Sequence, residues 1–341
     1  MKKTALYISC AAIAFIMLFV GTAKQSARSR GISPATLATT YNVSTVAELQ
    51  TAVNNVNAGP GGDTIVLAPG VYALAGGTLF ISRDVTIQGD DTSNTILDGG
   101  GAIILETFSA SITVRNLTFQ NASDAIISDS PGAFAATGIT ITGCAEGFNG
   151  GDSGGSSFFT NSTIANNTTG MRIDCASTTL TNVTVSDNND GLEFSSCGEQ
   201  MTINNSLIVR NTHDCSGRGI TPIGDASFDS DGSCVAMGFG PGMLTKSVTF
   251  IDLGVLANNG GPTFTESISS TSMAKDAGDN AICPATDQRG VPRSDGKCDI
   301  GAFEAASLLP LIKSQCMNNG WKNYARFKSQ GDCIQFVNTG K

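Results

Sequence analysis

The chain has 341 residues, of which 40 are glycine and 14% are charged, and its formal net charge at pH 7 is −9. Hydrophobic residues make up 40% of the chain and recur in register, which is not typical of a disordered protein. The negative charge argues against a nucleic-acid partner, because no basic face is available to displace counterions from phosphates.

The N-terminus predicts export. Lys2 and Lys3 precede an apolar run over residues 5–20, and the small residues Gly21, Thr22 and Ala23 follow it. This order is typical of a signal peptide, which we place at residues 1–23. An uncleaved anchor is the alternative, because the run is long for a signal and short for a membrane span. Contact with a membrane is expected only through this segment, if it stays uncleaved.

Residues 24–42 are rich in Ser, Thr, Ala and Gly and predict a linker. Residues 46–53 carry apolar residues at helical spacing and predict a short amphipathic helix. Such a helix would cap the first coil of a repeat fold, where an uncovered strand edge is otherwise exposed.

A short pattern recurs five times between residues 112 and 211, at steps of 21 to 23 residues. Apolar or small residues stand two places before, one place after and three places after an index residue, with polar residues between them. The alternation predicts short strands with a bend at the index. Self-similarity at this period predicts a solenoid, in which stacked coils close the core. The index residues are Asn116, Gly138, Asn161, Asn182 and Asn205.

A second bend is predicted five places after each index, which gives three short strands per coil. Asn and Gly suit both bends, because the backbone there visits left-handed conformations. Adjacent coils lie about 4.8 Å apart, so we expect the index side chains to form a hydrogen-bonded ladder. The ladder residues are Asn116, Asn161, Asn182 and Asn205.

This pattern resembles the right-handed parallel β-helix of the pectate-lyase-like type. The resemblance covers roughly residues 60–245 and implies about eight coils of ~22 residues. The predicted fold class is therefore all-β, a single-stranded right-handed parallel β-helix. We place it at residues 43–245, with an N-terminal helical cap and small C-terminal modules after it.

Export makes the cysteines outside the N-terminal segment candidates for disulfides. Cys175 and Cys197 are one coil period apart, so they should lie on adjacent coils within bonding distance. Cys144 is left over and is predicted to be buried as a small apolar residue. None of the spacings is a zinc pattern. Three local pairs are also predicted, namely Cys215 with Cys234, Cys283 with Cys298 and Cys316 with Cys333.

Four motifs follow the repeat, and they lie at residues 259–263, 276–279, 287–293 and 298–304. They begin with Asn259, Asp276, Asp287 and Cys298, and together they resemble the closing module of the choice-of-anchor Q surface proteins of bacteria. We assign residues 246–304 to this module. The resemblance implies a β-helix held at a bacterial surface by a following attachment signal. The sequence departs from the pattern of this family after Glu304, where neither a cell-wall sorting motif nor a hydrophobic tail follows.

Residues 305–312 predict a linker, and residues 313–341 predict a small basic module stapled by Cys316 and Cys333. Two interpretations stay open for this tail, a stabilising segment and an electrostatic attachment module for anionic envelope polymers. Five basic residues against one acidic residue give a charge of +4, from Lys313, Lys322, Arg326, Lys328 and Lys341 against Asp332.

The pectate-lyase-like resemblance implies two kinds of active site. Lyases use an acidic calcium cluster beside an Arg or Lys base, and hydrolases use close Asp residues with a Gly-His-Gly element. Stacking places Arg172 next to Glu193 with Asp174 beside them, either as a surface ion pair or as a lyase-like base with acid ligands. Asp90 and Asp91 echo the hydrolase acids, with a polar turn as the alternative.

Two turns carry oxygen ligands at alternate positions, as calcium turns do. One contains Asp187 and Asp190, and the other contains Asp229 and Asp231. Neither continues to a glutamate at the EF-hand spacing, so polar turns are expected and calcium is the alternative. No other cofactor is expected.

The sequence thus predicts a secreted or cell-surface, extracytoplasmic protein that is not a catalyst. Its expected role is adhesive or structural at the bacterial envelope, with envelope or extracellular polysaccharide as the partner. The alternative is a polysaccharide lyase or glycoside hydrolase acting on acidic polysaccharide.

Overall fold

The computed structural model describes residues 37–195, 197–198, 200–293, 296–305, 310, 312–323 and 327–340. The predicted signal peptide at 1–23 and most of the predicted linker at 24–42 lie outside these residues. A first strand, Thr40–Val43, begins inside the segment predicted as linker and pairs with Asp63–Leu67. No helix in the described part of the chain is long and apolar enough to cross a membrane.

The helix predicted at residues 46–53 runs from Val46 to Ala58. The Thr45 side chain accepts the backbone N–H of Glu48 at 3.2 Å, and the Glu48 carboxylate accepts the N–H of Thr45 at 3.2 Å. This reciprocal capping box satisfies two backbone donors that a helix start leaves free. The helix buries one apolar stripe over the first coil, formed by Leu49, Ala52, Val53 and Val56.

Parallel strands stack into about 9 turns, and the right-handed parallel β-helix predicted from the repeat is confirmed. The number of turns exceeds the eight expected, because the first coil starts at Thr40 and not near residue 60. Three ladders of strands run along the solenoid. The first ladder consists of Thr40–Val43, Asp63–Leu67, Val85–Gln88, Ile112–Arg115, Ala133–Thr137, Ser156–Ala165, Ser177–Ser186, Gln200–Asn204 and Thr221–Asp225.

The second ladder follows the first bend of each coil, and the third ladder follows the second bend. Two long strands, Ser156–Ala165 and Ser177–Ser186, continue through the first bend. They join the first and second ladders into one 16-stranded sheet, and the third ladder is a separate 7-stranded sheet. The other strands of the second ladder are Gly70–Ala73, Thr95–Asp98, Thr118–Gln120, Thr140–Thr142, Leu207–Val209, Ser227–Asp229 and Met243–Thr245. The third ladder consists of Leu79–Ile81, Leu105–Phe108, Asp124–Asp129, Glu146–Asn149, Thr169–Ile173, Asp190–Phe194 and His213–Gly217.

Both bends lie where the repeat predicts them. The five index residues and the five residues five places later all have positive φ, between 46° and 67°. Asn and Gly tolerate this conformation best. Arg210 is the unusual occupant, a long charged residue at φ 62°, and its role becomes clear from its contacts below.

The inward positions of the strands form one continuous core. Val114, Leu117 and Phe119 are all 0% exposed, as the alternation predicts. One coil alone could not bury these faces, so stacking of coils closes the core. Three aromatic rings contact one another inside it, with centroids 4.8, 5.5 and 5.8 Å apart, those of Phe134, Phe148 and Phe159.

The predicted ladder of index asparagines is present at one step only. Asn205 Nδ2 lies 3.4 Å from Asn182 Oδ1, whereas Asn116 Nδ2 donates to Asp91 at 2.8 Å. The residue after each index takes the inward, fully buried position, so the index side chain itself turns outward. Asn161, Asn182 and Asn205 consequently bond to the C-terminal segment.

A continuous asparagine ladder lies instead six places after the index, just past the second bend. Asn167 Nδ2 donates to Asn188 Oδ1 at 3.0 Å, and Asn188 Nδ2 donates to Asn211 Oδ1 at 2.9 Å. Asn211 is the last asparagine of the ladder, and its Nδ2 donates to Asp214 Oδ1 at 3.0 Å. These side chains are buried, so their mutual bonds satisfy groups that water cannot reach. Cys144 occupies the equivalent place one coil earlier and is a buried free thiol, as predicted.

The segment predicted as a closing module, residues 246–304, lies as an outer layer over the second ladder. Its regular structure is a helix, Val248–Ile251, and three isolated bridges, Leu253–Ile268, Ala257–Thr265 and Thr286–Pro292. A second core joins this layer to the solenoid. Its residues are Leu207, Val209, Phe228, Ile251, Ile268, Ala274, Ile300, Phe303 and Ala305.

Before this segment, residues Val235–Phe239 form a short helical stretch that is kinked at Gly238, where φ is 105°. Phe239 is buried there beside Phe194, with ring centroids 6.3 Å apart. The tail at residues 313–341 contains two α-helices, Lys313–Cys316 and Gln330–Thr339, and a 3-10 helix between them, Gly320–Asn323. Cys316, Phe327 and Cys333 form its small core. Most of the predicted linker at 305–312, together with Arg326, Lys341 and the side chain of Lys322, lies outside the described residues.

All four predicted disulfides are present. The Cα–Cα distances, 4.9 to 6.1 Å, are in the usual range for a bridge. The coil-spanning bond links adjacent turns, and the other three close loops of local sequence. The bonded pairs are Cys175–Cys197, Cys215–Cys234, Cys283–Cys298 and Cys316–Cys333.

Candidate functional site

The outer face of the third ladder carries the predicted pair Arg172 and Glu193. The two residues are register partners on adjacent strands, as the repeat arithmetic predicts. Arg172 Nη2 lies 3.3 Å from Glu193 Oε2 and 2.7 Å from Glu146 Oε1. Met171 and Ile173 on either side are buried, and this alternation turns the Arg172 side chain outward.

Glu146 was missed by sequence reasoning because it is a diagonal neighbour of Arg172 and not its register partner. Glu146 pairs with Thr169, three residues before Arg172. Burial raises the pKa of Glu146, repulsion from Asp124 adds to the rise, and Arg172 opposes it. A search of positions eight places after each index could have found this residue, since they form the neighbouring outward column.

Asp174 does not join this cluster. It follows the end of strand Thr169–Ile173, and the ion pairs of Arg172 within the described residues are with Glu146 and Glu193. Held between Glu146 and Glu193, Arg172 links the strands of three successive coils.

Asp90 and Asp91 lie in a turn that they stabilise themselves. Asp90 Oδ1 accepts the Thr92 N–H and hydroxyl, both at 2.8 Å, and the Ser93 N–H at 2.9 Å. The bonds from the side chain and backbone of Thr92 lower the pKa of Asp90. Asp91 accepts from Asn116. A carboxylate with a lowered pKa is a poor proton donor, so Asp90 is poorly suited to act as a general acid.

The two carboxylates of the first calcium candidate, Asp187 and Asp190, lie on different faces of the solenoid. Asp187 pairs with Arg210 at 2.5 Å, whereas Asp190 lies on the third ladder, 3.0 Å from His213. The two carboxylates thus have different partners. They do not fit a shared calcium site.

The two carboxylates of the second calcium candidate, Asp229 and Asp231, accept hydrogen bonds from residues of their own loop. Asp229 accepts the N–H groups of Cys234 and Val235 at 3.1 and 3.3 Å, and its other oxygen is buried with no partner in the described structure. Asp231 accepts from Ser233 and from the backbone of Asp214. Among the described residues, no group of three or more His, Cys, Asp or Glu is placed to hold a metal ion.

Arg210 is a structural centre that the sequence alone did not indicate. Its guanidinium donates to the carbonyls of Leu253 and Gly254 at 2.6 and 3.0 Å, and it pairs with Glu266 at 2.9 Å. Glu266 also accepts from the hydroxyl of Ser186, and burial raises its pKa to about 8. The only available signal was a charged residue at a bend that favours Asn or Gly.

A second buried ion pair lies within the C-terminal segment itself. Arg293 and Glu304 are 2.6 Å apart, with side chains 1% and 5% exposed. Burial and the neighbouring Asp299 raise the pKa of Glu304 to about 7. Gln288 accepts from Thr163 of the solenoid at 2.6 Å and donates to the Ile139 carbonyl at 3.1 Å. The characteristic motifs of this segment therefore serve its attachment to the solenoid.

Residues 77–235 match the family described as the right handed beta helix region. No curated protein sequence matches the chain. Among solved structures, an alginate lyase from Paenibacillus sp. str. FPU-7 is 18% identical with a TM-score of 0.42, covering 56% of this chain and 74% of that one. Pectate lyase Pel9A is 13% identical with a TM-score of 0.42, covering 80% of this chain and 97% of that one.

A pectate lyase from Xanthomonas campestris is 14% identical with a TM-score of 0.32, covering 55% of this chain and 81% of that one. Identities and TM-scores this low do not transfer the activities of these enzymes to this chain.

Proposed function

We propose that this protein is a secreted or cell-surface β-helix protein with a non-catalytic, adhesive or structural role at the bacterial envelope. The observation that carries the proposal is the state of the candidate catalytic groups. Arg172 is held between Glu146 and Glu193, and Asp90 and Asp91 accept hydrogen bonds from Thr92 and Asn116. The contacts of each of these groups therefore have a structural explanation that needs no catalytic role.

The four disulfides support an extracytoplasmic location. Stable disulfides form in oxidising compartments and are rare in the cytosol, where thiols are kept reduced. The N-terminal sequence, with two lysines before an apolar run and small residues after it, points the same way.

The C-terminal tail supplies a candidate means of attachment. It is basic in an otherwise acidic protein, so it is suited to contacts with anionic envelope polymers. The resemblance to anchored surface proteins favours the same role. Polysaccharide is the partner that we propose for the protein as a whole.

A panel of acidic polysaccharides tests the non-catalytic assignment. Purified full-length protein is incubated with pectin, polygalacturonate and alginate, with and without calcium, and new chain ends are measured. We expect no product from the wild-type protein. Product formation that disappears in Arg172→Ala but persists in Arg83→Ala, which removes an exposed arginine elsewhere, would establish the lyase alternative.

A further inference from the structure

Two exposed phenylalanines lie side by side on the outer face of the third ladder. Phe80 is 52% exposed and Phe108 is 38% exposed, and their ring centroids are 6.5 Å apart with ring planes at 18°. Leu79 and Ile81, the strand neighbours of Phe80, are buried. The core therefore does not need the Phe80 ring. The C-terminal layer lies over the second ladder, and His213 on this third face is 59% exposed.

Carboxylates stand directly beside the two rings. Glu106 is the register partner of Phe80, and Asp129 is the register partner of Phe108. Asp129 lies on the neighbouring strand, two residues after Ile127, the register partner of Glu106. Partial burial raises the pKa of Glu106, and repulsion from Asp129 and Asp124 adds to the rise. Within the described residues, Glu106, Asp124 and Asp129 take part in no ion pair. The face thus keeps negative charge without a cation next to its aromatic pair.

The charge of this face decides which ligands suit it. Six carboxylates point outward from the third ladder against one guanidinium, Arg172, which already has two acidic partners. A polymer of uronic acids would be repelled, whereas a cationic ligand gains from the carboxylates and from the faces of the rings. The outward carboxylates belong to Glu106, Asp124, Asp129, Glu146, Asp190 and Glu193.

The form of the face favours a glycan over a peptide. The strands that carry Glu106, Asp124 and Glu146 are paired on both sides, so their backbone groups are not free to add a strand from a peptide. The strand of Phe80 is the last of this sheet, and the Phe80 carbonyl accepts a hydrogen bond from Asn57 of the N-terminal helix at 2.7 Å. The face offers only side chains, repeated at the strand spacing of about 4.8 Å. Flat aromatic rings suit the C–H faces of pyranose rings, which are apolar.

We infer that the outer face of the third ladder, around Phe80, Phe108, Glu106 and Asp129, is a binding site for a polymer of amino sugars with free amino groups. The inference rests on the proposed adhesive function and names its ligand class. The ammonium groups would lie against the carboxylates, and the sugar rings against the phenylalanines.

Binding of glucosamine oligomers to the full-length protein tests the inference, with titration calorimetry as the readout. We expect saturable binding that weakens with salt. Fully N-acetylated oligomers and oligogalacturonate should bind at least about tenfold more weakly, because they lack the positive charge. The Phe80→Ala/Phe108→Ala double variant should weaken glucosamine binding about tenfold, and Glu106→Gln/Asp129→Asn should do so to a similar extent.

Phe158→Ala is the matched control, because Phe158 is 44% exposed on the first ladder, away from this site. Circular dichroism verifies that each variant is folded. Absence of glucosamine binding overturns the inference. Equal binding of oligolysine, with the phenylalanine variants unchanged, also overturns it in favour of a general polycation surface. Either result leaves the proposed function in place, since that depends on the absence of catalysis and on attachment to envelopes.

Discussion

Glu266 is buried between the solenoid and the C-terminal layer, and burial raises its pKa from 4.5 to about 8. The folded protein therefore keeps a proton that the unfolded chain releases near pH 4.5. The stability linked to this group is fully present below that pH and is lost as pH rises through about 8. Glu304, whose pKa is raised to about 7, acts in the same direction.

We expect the free energy of unfolding to fall by several kcal/mol between about pH 5 and pH 9, at about 1.4 kcal/mol for each pH unit over which Glu266 is protonated only in the folded protein. Glu266→Gln cannot ionise, so its free energy should fall less over this range. Urea denaturation at several pH values measures how steeply the free energy of unfolding changes with pH in the wild-type protein and in Glu266→Gln. Asp90→Asn is the control, because the pKa of Asp90 is lowered and this group stays ionised throughout. An unchanged slope in Glu266→Gln would contradict this assignment.

At the scale of elements, the buried asparagine ladder holds the second bends of successive coils. Asn188 Oδ1 accepts both the backbone N–H of Asn167 at 2.9 Å and its side-chain amide at 3.0 Å. Asn188→Ala would leave these donors buried without an acceptor. We expect a loss of about 2–3 kcal/mol in unfolding free energy.

Asn189→Ala is the matched control for this prediction. Asn189 is the next residue and is exposed, and its side chain donates to its neighbour Asp190. Its replacement should change the unfolding free energy by less than about 0.5 kcal/mol. Equal effects of the two substitutions in thermal or urea denaturation would show that the ladder does not carry the stability.

The solenoid could be predicted from the sequence because its constraints are local. A bend with positive φ favours Asn or Gly, and a strand that buries alternate residues repeats with period two. The position of the asparagine ladder could not be predicted, because spacing along the chain does not show which bend residue turns inward. Glu146 was missed for a related reason, since register arithmetic finds partners across strands and not along diagonals.

The docking of the C-terminal segment was also beyond prediction. Its bonds join residues far apart in sequence, as in Gln288 to Ile139 and Asn182 to Asp299. The segment has little regular structure, so no periodic pattern indicates which of its residues face the solenoid. Arg210 and Glu266 come together only when both parts are folded.

At the scale of the whole molecule, the three faces of the solenoid differ in character. The first ladder presents threonines such as Thr113, Thr179 and Thr202 at partly exposed positions. The C-terminal layer covers the second ladder, and the third ladder is acidic.

The most direct test of the account is the distribution of the protein between pellet and supernatant after mixing with isolated bacterial envelopes. The account predicts that the full-length chain sediments with the envelopes and leaves their polysaccharide intact. Removal of residues 313–341 should move the protein to the supernatant. A full-length chain that stays in the supernatant would contradict the proposal, and so would one that sediments while shortening the envelope polysaccharide.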